Sequence, residues 1–233
     1  MGKLDNERTR ILKEYERRKK EISQDRYSVF NPSALHTRFS REKMAIELLN
    51  KNNSFPTHDS KCLEVGCGSL GWLGTLICWG VKEENLYGID LDKNRVKIAK
   101  SVLPTANLAV GDASQIPFKD NFFSLVIAST VFTSVLDNEM KSTIAQETRR
   151  ILKKGGVFLY YDFAYDNPQN PNVKGVKKKE ILKLFPNFKY KIQKITLAPP
   201  ISRIVAPKSF LFASLLEAIP FLRTHLIGIF IKE

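Results

Sequence analysis

The stretch Cys62-Leu63-Glu64-Val65-Gly66-Cys67-Gly68-Ser69-Leu70-Gly71-Trp72-Leu73 decides how this chain is read. A short apolar run breaks at paired glycines, then resumes with helical spacing through Leu76, Ile77 and Trp79. That is the order strand, tight loop, helix. Glycine at 66 and 68 admits a positive φ and lets a ligand approach the main chain closely. The helix behind the loop offers free N–H groups and a partial positive charge. Taken literally, Gly66, Gly68 and Gly71 spell G-x-G-x-x-G, a dinucleotide fingerprint. Glu64 points elsewhere. A carboxylate two residues before the first glycine repels a pyrophosphate and suits a ligand with a cationic amino group.

Outward from this loop, short apolar runs alternate with helical stretches. Strands are expected at Cys62–Val65, Leu86–Ile89, Asn107–Val110, Phe123–Ser129 and Val157–Tyr161. Helices are expected at Leu70–Trp79, Lys93–Leu103 and Glu139–Leu152, the last closed by Gly155-Gly156 as a C-cap. The alternation argues for a parallel sheet with helices on both faces. The run Leu125-Val126-Ile127-Ala128 has the composition of a strand buried on both sides. Upstream, residues 3–24 read as a solvated helix with a thin apolar stripe. Asn31-Pro32 opens a second helix that runs to about Asn50. Downstream come a basic helix at Lys177–Phe185 and strands at Tyr190–Leu197 and His225–Ile231.

In such a sheet, ligands bind beyond the C-terminal strand ends. The second strand ends in Asp90-Leu91, and a carboxylate there can accept both hydroxyls of a ribose. Asp92 is better placed to cap the next helix. The third strand ends in Gly111-Asp112-Ala113. Asp112 can accept from an exocyclic amine while the adjacent backbone N–H donates to a ring nitrogen; a simple capped turn is the alternative. The fourth strand ends in Ser129-Thr130-Val131.

As a set, these pieces resemble the class I S-adenosylmethionine (SAM)-dependent methyltransferases with a type 11-like domain. Glu64, Gly66 and Gly68 match the acidic-x-G-x-G-x-G motif, with Leu70 where the third glycine is usual and Gly71 one place late. Gly88-Ile89-Asp90, Gly111-Asp112-Ala113, Pro117-Phe118 and the run Arg150 to Gly156 are similar too, so the resemblance covers roughly residues 60–165. It implies SAM as cofactor, with contacts at Glu64, Gly66, Cys67, Gly68, Asp90, Leu91, Asp112, Ala113 and Ser129. It also implies a doubly wound, mostly parallel seven-stranded α/β sheet of Rossmann-like form whose last strand is antiparallel. Residues 1–55 would form an N-terminal helical lid. Residues 56–233 would form the methyltransferase domain, with 199–222 as a helical acceptor-side insertion.

The formal charge of +13 is uneven. Residues 51–170 balance, with 13 basic and 13 acidic side chains, whereas residues 171–233 carry 12 against 3. A basic flank suits an anionic partner: a phosphorylated substrate, a membrane surface or nucleic acid. No nucleic-acid recognition module is visible. Three cysteines without a C-x-x-C read as reduced thiols in a cytoplasmic setting and not as a metal site. The charged N-terminus is unlike a signal peptide, and no apolar run is long enough to span a bilayer. Phe210–Leu222 is expected to be buried core, with peripheral membrane contact as the alternative.

A sulfonium methyl is already electrophilic, so the protein mainly aligns the nucleophile. If that nucleophile is a hydroxyl, a base helps. Asp162, Asp166 and His36 are the candidates, each with a structural role as the alternative, and Tyr27 is placed over the cofactor. The expected acceptor is a small anionic or amphipathic molecule, such as the hydroxyl of a sugar or of a lipid- or nucleotide-linked saccharide. An NAD(P)-binding oxidoreductase, a nucleic-acid methyltransferase and a SAM-fold protein without turnover are the alternatives.

Overall fold

The computed structural model describes residues 3–233; Met1 and Gly2 of the expected 1–55 unit lie outside the described residues. Two helices come first, α1 (Lys3–Glu21) and α2 (Pro32–Asn50). The alternating part follows: β1 (Cys62–Val65), α3 (Leu73–Cys78), β2 (Leu86–Asp90), α4 (Lys93–Val102), β3 (Asn107–Val110), β4 (Phe123–Ser129), α5 (Asn138–Ile151) and β5 (Leu152–Phe163). The chain ends with α6 (Lys178–Leu184), β6 (Phe188–Leu197), α7 (Pro199–Val205), α8 (Phe210–Ala218) and β7 (Arg223–Lys232). The strands form one sheet in the order β3-β2-β1-β4-β5-β7-β6. The first five are parallel, and β7 runs antiparallel to both β5 and β6.

Successive side chains on a strand point to opposite faces. Leu63, Val65, Val126, Ala128, Phe158 and Tyr160 enter one apolar layer, completed by Ile11 of α1 and by Met140 and Ile144 of α5. Cys62, Leu125, Ile127, Leu159 and Tyr161 enter the other, completed by Ala45 and Leu49 of α2 and Leu73 and Leu76 of α3. Each fully buried Leu or Phe in these layers contributes about 1.5–3 kcal/mol relative to exposure. The two layers hold the strand ends in a fixed plane, and the polar site is built on that edge.

Local chemistry sets the boundaries. Asn31 Oδ1 accepts from Ser33 N and Ala34 N, and Pro32 occupies the first turn, so α2 starts where expected. Asp92 caps α4 through Asn94 N at 2.8 Å. Three expectations are corrected. The first helix is shorter, because Gly71 at φ +43 holds residues 69–71 in a turn. Gly155-Gly156 does not cap α5: the strand begins at Leu152, Gly155 has φ +73, and the pair makes a bulge against β4. A Cβ on Gly156 would sit 3.0 Å from Phe123 O. Finally, α8 is not buried core, since only Ala213 of its nine residues is buried.

Candidate functional site

The loop between β1 and α3 is tied to β2 by its own backbone. Gly66 N and Cys67 N both donate to Ile89 O, at 2.8 and 3.2 Å. Gly66 (φ +69) and Gly68 (φ +56) take the left-handed conformation, and nothing lies within 4 Å of where a Gly68 Cβ would be. Asp90 closes the loop from the other side: Oδ2 accepts from Gly68 N and Oδ1 from Asp92 N, both at 2.9 Å. Burial raises its pKa, and the two N–H bonds act against that rise. The buried Cys67 thiol packs against Gly88, where a Cβ would lie 2.8 Å from Sγ.

Glu64 is buried and turned under the loop. Its Oε2 accepts from Trp72 N at 2.7 Å and Leu73 N at 3.1 Å, capping α3, and burial pushes its pKa up to about 8. This accounts for the displaced glycine of the motif. A Cβ at position 71 would run into the Glu64 carboxylate, whereas Leu70 has room to pack toward Gly74.

Gly66, Asp90, Leu91, Asp112 and Ala113 line a single cavity. α1 contributes Ile11 and Tyr15 to its lining. Arg8 donates to Asp112, and Arg95 lies 4.4 Å over the Tyr15 ring. The hooks of this helix are buried carboxylates. Glu7 accepts from Leu136 N and Asp137 N, and Glu14 accepts from the side-chain amides of Asn170 and Asn172. With α1 in place the cavity is about 40 Å³, room for roughly two or three waters. Tyr27 does not cover the site; it is exposed and accepts from Arg18.

A second cluster lies at the ends of β4 and β5, around the expected Ser129 but with Arg41 as a member that the sequence reading did not name. Arg41 of α2 places its guanidinium 4.5 Å from the Trp72 ring and 5.4 Å from the Tyr161 ring, and donates to Ser129 Oγ at 3.2 Å. The guanidinium is buried, and Nε has no partner among the described residues. Tyr161 in turn stacks on His225 at 4.9 Å, and burial, with the nearby Arg41 charge, pushes that imidazole down to about 3. The available sequence signal was an arginine one turn before the apolar Met44, Ala45 and Leu48 of α2; what it meets lies far away in the chain.

The three residues expected to act as bases are dispersed. Asp162 is fully buried; Thr133 donates to it through N and Oγ, Phe163 N donates at 3.0 Å, and burial pushes its pKa up to about 7. Asp166 is exposed and accepts from Gly175 N at 2.8 Å, closing the 166–175 loop. His36 joins α2 to α8, with Nε2 3.3 Å from Ser214 Oγ and its ring 4.9 Å from Phe210; burial lowers its pKa.

A parallel sheet with an antiparallel β7 inserted between β5 and β6, and a glycine loop facing acidic strand ends, is the class I SAM-dependent methyltransferase fold. An all-parallel dinucleotide sheet has a different order. Residues 63–160 match the family model for a methyltransferase domain, and the fold and the methyltransferases it resembles imply SAM as cofactor. The demethylmenaquinone methyltransferase of Geobacillus stearothermophilus is 31% identical over 102 residues, 42% of each chain. The sterol 4-C-methyltransferase of Caenorhabditis elegans is 29% identical over 114 residues, 46% of this chain and 32% of its own. The chain thus spans less than half the length of these curated relatives. A SAM-dependent methyltransferase structure from Archaeoglobus fulgidus superposes with a TM-score of 0.59 at 17% identity, covering 84% of this chain and 96% of the other. One from Thermotoga maritima does so with a TM-score of 0.57 at 18% identity, covering 96% and 97%.

The residues present fit this cofactor. Gly68 leaves open space at the main chain, Asp90 and Asp112 share one cavity, and Arg41 holds an unpartnered buried Nε.

Proposed function

We propose that this chain transfers a methyl group from SAM to a small amphipathic acceptor inside the cell, at a hydroxyl of a sugar or of a lipid- or nucleotide-linked saccharide. When bound, SAM supplies an electrophilic methyl on its sulfonium. The chain's own part is placement: the Gly66–Gly68 backbone, Asp90 and Asp112 on the cofactor side, and Arg41, Trp72 and Tyr161 on the other. The names of the quinone and sterol relatives support a lipophilic component in the acceptor.

The observation that carries this reading is Arg41. A buried guanidinium between two aromatic rings, with a free Nε and no carboxylate paired to it among the described residues, is a receptor for an anion. That anion is either the cofactor's carboxylate or a phosphate or carboxylate of the acceptor. Asp162, Asp166 and His36 all have structural engagements, so alignment rather than proton removal by these groups is the main contribution.

Calorimetric titration of the full chain with SAM, with NADH as comparison, tests the proposal. SAM binding that is lost in Asp90→Ala is the expected result; NADH binding without SAM binding would overturn it. Arg41→Met separates the two anions. Weakening of SAM affinity by tenfold or more, about 1.4 kcal/mol, assigns Arg41 to the cofactor. Unchanged SAM affinity with a raised KM for an anionic acceptor assigns it to the acceptor.

A further inference from the structure

A short helix on a protein surface normally turns polar residues outward. α8 does the reverse: Leu211, Phe212 and Leu215 are all exposed, Leu211 by 72%. Leu211 and Leu215 are one turn apart and so share a face. The patch continues onto neighbouring elements. Phe39 of α2 meets Phe210 at 6.3 Å, Ile204 of α7 is exposed, and Phe221 beyond α8 is 80% exposed. The elements are stitched together beneath the patch by a buried hydrogen bond between Ser33 and Ser202 and by the contact of Ser40 with Glu217. Apolar surface of this extent is uncommon on a soluble monomer and marks a contact surface.

The charges identify the kind of surface it fits. Glu217, the one acid of α7 and α8, is turned inward, where it accepts from Thr196 N at 2.7 Å and from Ser40. Arg203 and Lys208 of the α7–α8 segment stand exposed, while on α2 the exposed Arg38 pairs with Glu42 at 3.9 Å. In α7 and α8, an apolar face with basic residues outward and the acid hidden complements a bilayer: acyl chains for the leucines and phenylalanines, anionic headgroups for the cations. Nucleic acid would match the cations but leave the aliphatic side chains against water. A second copy would bring these cations against their own kind. No described helix is long and apolar enough to cross a membrane, so the contact would lie in the interface plane.

We propose that the face formed by α2, α7 and α8 docks on an anionic membrane surface, independently of which acceptor is methylated. The same α2 carries Arg41 into the cleft, so docking would place the acceptor entrance at the lipid boundary.

The test is co-sedimentation of the full chain with vesicles of phosphatidylcholine alone and of phosphatidylcholine with phosphatidylglycerol. The chain is expected to pellet with the anionic vesicles. Combined Leu211→Ser, Phe212→Ser and Leu215→Ser should lower the partition coefficient at least about tenfold. Arg203→Glu with Lys208→Glu should do the same on anionic vesicles alone and leave the thermal midpoint unchanged. Failure of the native chain to bind anionic vesicles would overturn the proposal. So would equal binding by the native chain and both variants. A dimer in light scattering that the serine variant dissolves, without vesicle binding by the native chain, would instead assign the face to a second copy.

Discussion

At the scale of single residues, Gly71 separates conformational from steric demand. It shares a positive φ with Gly68, but only at Gly71 would a Cβ meet another group, the Glu64 carboxylate that caps α3. Gly71→Ala therefore combines backbone strain with loss of a buried cap and should cost roughly 2–4 kcal/mol. Gly68→Ala, with the same sign of φ and open space around it, should cost roughly 1 kcal/mol. Urea unfolding of the two variants checks the difference; equal losses would mean that Glu64 moves aside freely. The late glycine looks like a defect against the family motif. In three dimensions it is the clearance that a glutamate cap requires.

At the scale of elements, α1 is expected to act as a latch over the cavity it lines. Its hold on the cavity rests on Glu7 and Glu14, buried acids whose backbone and amide partners are more than 120 residues away in sequence. Glu14→Ala leaves Asn170 and Asn172 without that acceptor and should raise the population of the open latch about ten- to a hundredfold, for a charged hydrogen-bond network of roughly 1.5–3 kcal/mol. Hydrogen exchange along α1 reads this directly, and exchange identical to the native chain would show that the carboxylate is no hook. The element also marks the limit of sequence reading. α2 and β4 were legible because their signals are local: an Asn-Pro cap in one, an apolar run in the other. The spacing of α1 revealed a helix, but not that its acids are buried, because their partners are remote. Gly155-Gly156 was misread for a related reason. A glycine pair serves a helix end or a bulge equally well, and only the pairing of β5 with β4 distinguishes them. That Asp90 and Asp112 would meet at neighbouring strand ends was legible from the β-α alternation, and they line one cavity; Arg41 was not legible, since no rule of spacing joins position 41 to Trp72 and Tyr161.

At the scale of the whole molecule, buried ionisable groups shape stability against pH. Burial pushes Glu64 up to about 8 and Asp162 up to about 7, from ordinary values of 4.5 and 3.8. The folded chain then keeps protons that the unfolded chain releases, so stability falls as pH rises between the ordinary and the folded values. His225, pushed down from 6.5 to about 3, acts oppositely: the unfolded chain takes up a proton first, so its contribution rises between pH 3 and 6.5. Above pH 6.5 the histidine no longer matters and the carboxyls remain. From there to about pH 8 the native chain should lose more stability than Glu64→Gln, by roughly 1–2 kcal/mol at about 1.4 kcal/mol per pKa unit. Urea unfolding at both pH values is the check, and parallel losses would mean that Glu64 ionises at its ordinary value. Arg41 has a last consequence at this scale. The matched segment ends at Tyr160, so Arg41, Tyr161, His225 and helices α2, α7 and α8 all lie outside it. On the function proposed above, one part of the chain would carry the cofactor machinery and another would face the acceptor. Exchange of the outer elements offers a route to a new substrate that leaves the glycine loop untouched.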